Sequence, residues 1–106
     1  DGHIVQGHID TTAICIGISE KKGSWEYQFE IDPNFSNLII EKGSITLNGI
    51  SLTIFNITDI NFTVAIIPYT FEHTNIHLIQ KGNKANIEFD IIGKYISRIE
   101  ALKNKP

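Results

Sequence analysis

The chain has 106 residues, 42% of them hydrophobic and 20% charged, with a formal net charge of −3 and a pI near 5.7. That length suits one domain with one core, and that charge balance excludes the basic stripe of a nucleic-acid binder and polybasic attachment to a membrane. No apolar run approaches the ~20 residues of a membrane span.

The opening "DGHIVQGH" lacks the basic and apolar regions of a signal peptide, and with no initiator Met the chain reads as a piece of a longer one. Residues Ile9 to Ser19 are β-branched and alternate loosely, which predicts a strand and then a turn at "EKKGS". The single cysteine, Cys15, lies between Ile14 and Ile16 in that strand. A lone cysteine fits a reducing, cytoplasmic setting, and no positive neighbour marks this one as reactive, so it reads as a packing residue.

"WEYQFEI" alternates cleanly, with Trp25, Tyr27, Phe29 and Ile31 on one face and Glu26, Gln28 and Glu30 on the other. Asp32-Pro33 then signals a turn or a helix start, and a short helix is expected from Asn34 to Ile40, ended by Gly43. In "SITLNGISLTIF", Asn48-Gly49 predicts a two-residue hairpin turn. One face of that hairpin carries Ile45, Leu47, Ile50 and Leu52; the other carries four hydroxyls, Ser44, Thr46, Ser51 and Thr53. Alternation alone leaves the hydroxyl face open between solvent surface and the floor of a site.

A turn at "NITDI" leads to a strand over residues 61–67, and Pro68 starts a helical turn. A Gly-Asn turn precedes a strand from Ala85 to Phe89. From Ile91 the period changes: Ile92, Tyr95, Ile96, Ile99 and Leu102 form the stripe of an amphipathic helix, with Asp90 placed to cap its start. That stripe must cover a barrel end or meet another chain. Five or six short strands with Gly and Asn turns argue for a small barrel or sandwich.

Loud catalytic motifs are missing. His3 and His8 point to opposite faces of an extended chain, and His73 and His77 have no third ligand pattern, so no metal site is expected. The glycines form neither a dinucleotide fingerprint nor a phosphate loop, and no nucleophile elbow is present.

Three runs in order, "GHIVQGHID", "EKGSITLNGISLTI" and "AIIPYTFEHTNI" followed by "GNKANIEFDIIGKYI", resemble the riboflavin synthase family, specifically its C-terminal half. The resemblance implies an all-β fold, a six-stranded antiparallel Greek-key barrel with short helical turns over residues 1–90, followed by a C-terminal α-helix, residues 91–106, through which the family forms trimers. It implies a cytoplasmic enzyme that needs no metal or organic cofactor. Two molecules of 6,7-dimethyl-8-ribityllumazine exchange a four-carbon unit to give riboflavin and 5-amino-6-ribitylamino-uracil. Each barrel holds one lumazine, and the N-terminal barrel of a neighbouring subunit completes the site.

Carried over by motif, Ser51 and Thr53 contact the heterocycle, and Gly49 and Leu52 belong to the same binding run. Lys42, Ile67 and Thr70 line the ligand, Asp90 lies near the ribityl chain, and His8 sits at the barrel junction. Lys42, Asp90 and Ser51 take assisting roles in catalysis. Ser51 stands where the sister barrel carries a cysteine important to catalysis, and Cys15 does not align with it. The alternatives are a lumazine protein, which binds the chromophore without turning it over, and a pure assembly module held by the helix.

Overall fold

The computed structural model describes residues 8–103. Six strands, β1 (Thr11–Lys21), β2 (Ser24–Glu30), β3 (Ser44–Leu47), β4 (Ile50–Phe55), β5 (Asn61–Ile66) and β6 (Lys84–Phe89), close into a barrel in the order β1-β2-β5-β4-β3-β6. Every neighbouring pair is antiparallel. Two 3-10 helices (Pro33–Leu38 and Asn75–Leu78) and two α-helices, α1 (Pro68–His73) and α2 (Ile91–Lys103), are the other elements among the described residues. Closure removes the free strand edges that an open sheet of this length would expose.

The β3–β4 hairpin has the expected register: Leu47 pairs with Ile50, Thr46 with Ser51, Ile45 with Leu52 and Ser44 with Thr53. Asn48 and Gly49 have φ of 48° and 88°, the two left-handed residues that a type I′ turn requires. The expected strand at residues 9–19 is displaced to Thr11–Lys21. The ladder with β2 slips between Cys15 and Gly17, and this extra residue explains the loose alternation in the sequence.

The helix expected from Asn34 to Ile40 is instead a 3-10 helix, Pro33–Leu38. The Asp32 carboxylate accepts the Asn34 N–H at 2.8 Å, and Pro33 supplies the first turn. It stops at Ile39, which is extended and buried in the core. Gly43 therefore ends no helix: its N–H bonds the Ile40 carbonyl at 2.8 Å in the turn into β3. A Cβ there would lie 2.9 Å from that carbonyl oxygen, so the turn demands glycine.

Alternation directs the core. Tyr27 and Phe29 of β2, Phe62 of β5 and Phe89 of β6 fill the barrel together with the small residues Ala13 and Cys15 of β1 and Ala85 of β6. Large against small lets the layers interdigitate at near-crystalline density. Burial pushes the Cys15 thiol above its ordinary value, with a weak opposing pull from the Gly17 carbonyl. It also raises Tyr27, with Cys15 beside it adding to the rise. Cys15 is thus an inert packing group. The helical segments seal the ends: Phe35 stacks on Phe89 with centroids 5.6 Å apart, Phe71 stacks on Trp25, and Ile76 is fully buried.

The helix expected from Ile91 is present, and Tyr95, Ile96, Ile99 and Leu102 on it are exposed rather than packed on the barrel. Asp10, unnoticed in the sequence, ties this region together. Its Oδ2 accepts the Phe89 N–H at 2.8 Å and pairs with Lys94 Nζ at 2.9 Å, while its own N–H donates to the Ile87 carbonyl at 2.8 Å. One carboxylate thereby fastens the approach to β1, the end of β6 and the first turn of α2. Asp10→Ala is expected to cost about 1–3 kcal/mol in urea denaturation, since a backbone N–H loses its charged acceptor. Lys94→Met, which removes a half-exposed ion pair only, is expected to cost about 1 kcal/mol or less.

Candidate functional site

The hairpin's hydroxyl face looks outward from the barrel. Glu88 of β6 pairs with Thr46 of β3, which pairs with Ser51 of β4, so these three side chains form one transverse polar row. Thr46 and Glu88 are buried although they point away from the core, and Ser51 is half-buried. The next row holds Ser44 opposite Thr53, and Asp90 follows Phe89 at the end of β6, in phase with Glu88. Two strand spacings, roughly 10 Å, separate the Asp90 position from Thr53. That span suits a heterocycle at one end and a polyol chain at the other.

β4 borders β5 on its other side, and there the wall opens. Among the described residues the β4–β5 ladder comprises Ile54–Val64 and Phe55–Thr63. Continued in register, it would set Thr53 against Ala65 and Ser51 against Ile67, but the ladder stops before those pairs. Thr53, Ala65 and Ile67 are exposed along this seam. α1 begins at its mouth: Ile67 is the cap residue, and Thr70 lies in the helix, half-buried. Backbone groups of β4 and β5 outside the ladder lie beside side-chain hydroxyls, a combination that suits the in-plane carbonyls and ring nitrogens of a flat heterocycle.

Lys42 stands just before β3, exposed, with φ of 64°. Its N–H bonds the Ile54 carbonyl at 2.8 Å, which seats it at the foot of β4 on the seam's strand. Positive φ is inexpensive for Asn48 and Asn56 but costs a lysine about 1–2 kcal/mol. Asp90 immediately precedes α2, and its carbonyl accepts the Lys94 N–H at 3.1 Å. Leu52 faces inward, half-buried against the core, so only its backbone is available to the outward face. His8 is exposed, and His3 lies outside the described residues.

A concavity of about 600 Å³ lies away from the seam. It lies along β6 and β3, lined by Ile9, Thr46, Asn48, Lys84, Asn86 and Glu88 among others, and it shares only Gly49 with the binding set carried over from the motifs. Both regions flank the Glu88–Thr46–Ser51 row. The outward phase of Lys84, Asn86 and Glu88 in "KANIEF" was the sequence signal for it.

A family model described as lumazine binding domain matches residues 6–90. The chain belongs to the lumazine-binding domain family. It is 42% identical to the riboflavin synthase of Bacillus subtilis (strain 168), over 98% of this chain and 49% of that protein. It is 45% identical to the riboflavin synthase of Actinobacillus pleuropneumoniae, over 99% of this chain and 48% of that one. The chain thus spans about half the length of the curated relatives it matches. Its fold is similar to that of LumP crystallised with 6,7-dimethyl-8-(1'-D-ribityl) lumazine, with a TM-score of 0.78 at 23% identity, covering 83% of this chain and 50% of LumP. LumP crystallised with riboflavin gives the same TM-score.

For this lumazine-binding domain, the strained lysine yields a stability test. Lys42→Gly is expected to stabilise the fold by roughly 0.5–1 kcal/mol, the relief of positive φ less glycine's extra entropy. Thermal and urea unfolding check it; a loss of stability would mean that the side chain is held for packing.

Proposed function

We propose that this barrel is one half of a riboflavin synthase and holds one 6,7-dimethyl-8-ribityllumazine across its outward β4 face. The observation that carries the reading is the coincidence of the open β4–β5 seam with the Ser51 and Thr53 hydroxyls. Identity of 42–45% to two synthases along nearly the whole chain supports it. The LumP likeness, at 23% identity, bears on fold alone and gives the carrier reading no equal support.

In this reading Ser51 and Thr53 meet the edge of the heterocycle, with the backbone near Gly49 and Leu52 beside them and the Ile67 side chain supplying apolar cover. Thr70 adds a hydroxyl from α1. Asp90 accepts hydrogen bonds from the ribityl hydroxyls. The Lys42 ammonium stabilises the negative charge that develops when the 7-methyl group of the substrate loses a proton. His8 lies at the junction with a second barrel. That barrel, from the N-terminal half of a neighbouring subunit, brings a second lumazine face to face with the first, and the four-carbon transfer gains chiefly from proximity and orientation. The products are riboflavin and 5-amino-6-ribitylamino-uracil, and the chemistry calls on no metal or organic cofactor. The exposed Tyr95, Ile96, Ile99 and Leu102 of α2 supply an apolar face for a trimer.

Fluorescence titration with 6,7-dimethyl-8-ribityllumazine tests the site. The double variant Ser51→Ala/Thr53→Val is expected to bind at least about tenfold more weakly, as two ligand hydrogen bonds are lost, with unfolding little changed. Unchanged affinity would return this face to plain surface.

A further inference from the structure

Trp25 lies near the start of β2, half-buried, in the inward phase of Tyr27 and Phe29 and opposite Ile66 of β5. One residue beyond Ile66 the chain turns into α1. This helix has six residues and no side-chain cap at its start, so it is far too short to hold its shape alone. What fixes it is Phe71. The Phe71 and Trp25 rings stack with centroids 3.8 Å apart and an interplanar angle of 7°. That is closer than the usual 4.5–7 Å of aromatic pairs.

The same residue anchors the helix at both ends. The Phe71 N–H bonds the Ile67 carbonyl at 3.0 Å, and the Phe71 carbonyl accepts from His77 Nδ1 at 2.9 Å. Thr74 Oγ1 donates to the Thr70 carbonyl at 2.6 Å. Thr70 is Phe71's neighbour in sequence, so the rotation of α1 that seats Phe71 on Trp25 also sets where the Thr70 hydroxyl sits relative to the seam.

We propose that Trp25 is a positioning residue for the ligand site: its ring clamps Phe71 and thereby fixes α1, which carries Ile67 and Thr70 at the end of β5. Trp25 acts through α1 without touching the ligand. This rests on the lumazine-binding reading above.

The test compares 6,7-dimethyl-8-ribityllumazine affinity in the wild-type chain, Trp25→Leu, which fills space without a ring, and Trp25→Phe, which keeps a ring. Circular dichroism and thermal unfolding accompany each titration. Trp25→Leu is expected to bind roughly tenfold more weakly while still folded, and Trp25→Phe to stay within about threefold of wild type. Should Trp25→Leu fail to fold, Phe71→Leu, which removes the other half of the stack, is expected to show the same loss. Wild-type affinity in the folded leucine variant, or equal losses in the leucine and phenylalanine variants, would overturn the assignment. An absence of lumazine binding by the wild-type chain itself would overturn the functional reading first, and this assignment with it.

Discussion

Ile54–Val64 and Phe55–Thr63 are the described ladder between β4 and β5, and the barrel closes through this short contact. The other five seams hold three to seven residue pairs each. Closure needs every seam, because a barrel missing one is an open sheet with two unpaired edges. The β4–β5 seam supplies that closure at one end only. At the other end β5 stays paired with β2 up to Ile66 and then leads into α1, and β4 keeps an unzipped margin. Thr53 and Ala65, exposed by their outward phase, and Ile67 at the start of α1 all lie along the margin that this ladder leaves unpaired.

The two faces of the β3–β4 hairpin divide the labour. Ile45 and Leu47 are fully buried and, with Ile54, belong to the core that holds the barrel together. The outward face contributes little to that core, so its residues can be chosen for chemistry. Thr46 and Glu88 are nonetheless buried there, in the centre of a polar row, with Ser51 at its β4 end. The outward face is therefore partly an interior, and the hydroxyl run is more than solvent surface.

Much of this was legible in the sequence, because period-two alternation reports the pleat directly. "WEYQFEI" gave the inward set of β2, and "LNGI" gave the turn and hence the register of four pairs. The resemblance to riboflavin synthases gave the residues on the outward face that alternation could not rank. Other features depend on contacts between distant parts of the chain and left no local mark. Asp10 reads as an ordinary loop acid until Phe89 and Lys94 are seen around it. The slip between Cys15 and Gly17 showed only as weakened alternation. The early stop of the β4–β5 ladder has no signal in either strand, since "ISLTIF" and "NFTVAI" both alternate well enough to pair throughout. Trp25 read as one more inward aromatic, and its stack with Phe71, 46 positions away, emerges only in three dimensions.

The central claim is that the open β4–β5 seam, rather than the concavity along β6, receives the heterocycle. Backbone amide chemical shifts recorded during a titration with 6,7-dimethyl-8-ribityllumazine test it most directly. The account predicts saturable shifts concentrated at residues 50–53 and 65–71. Shifts confined to Asn48, Lys84, Asn86 and their neighbours around the concavity, with the seam unmoved, would contradict it.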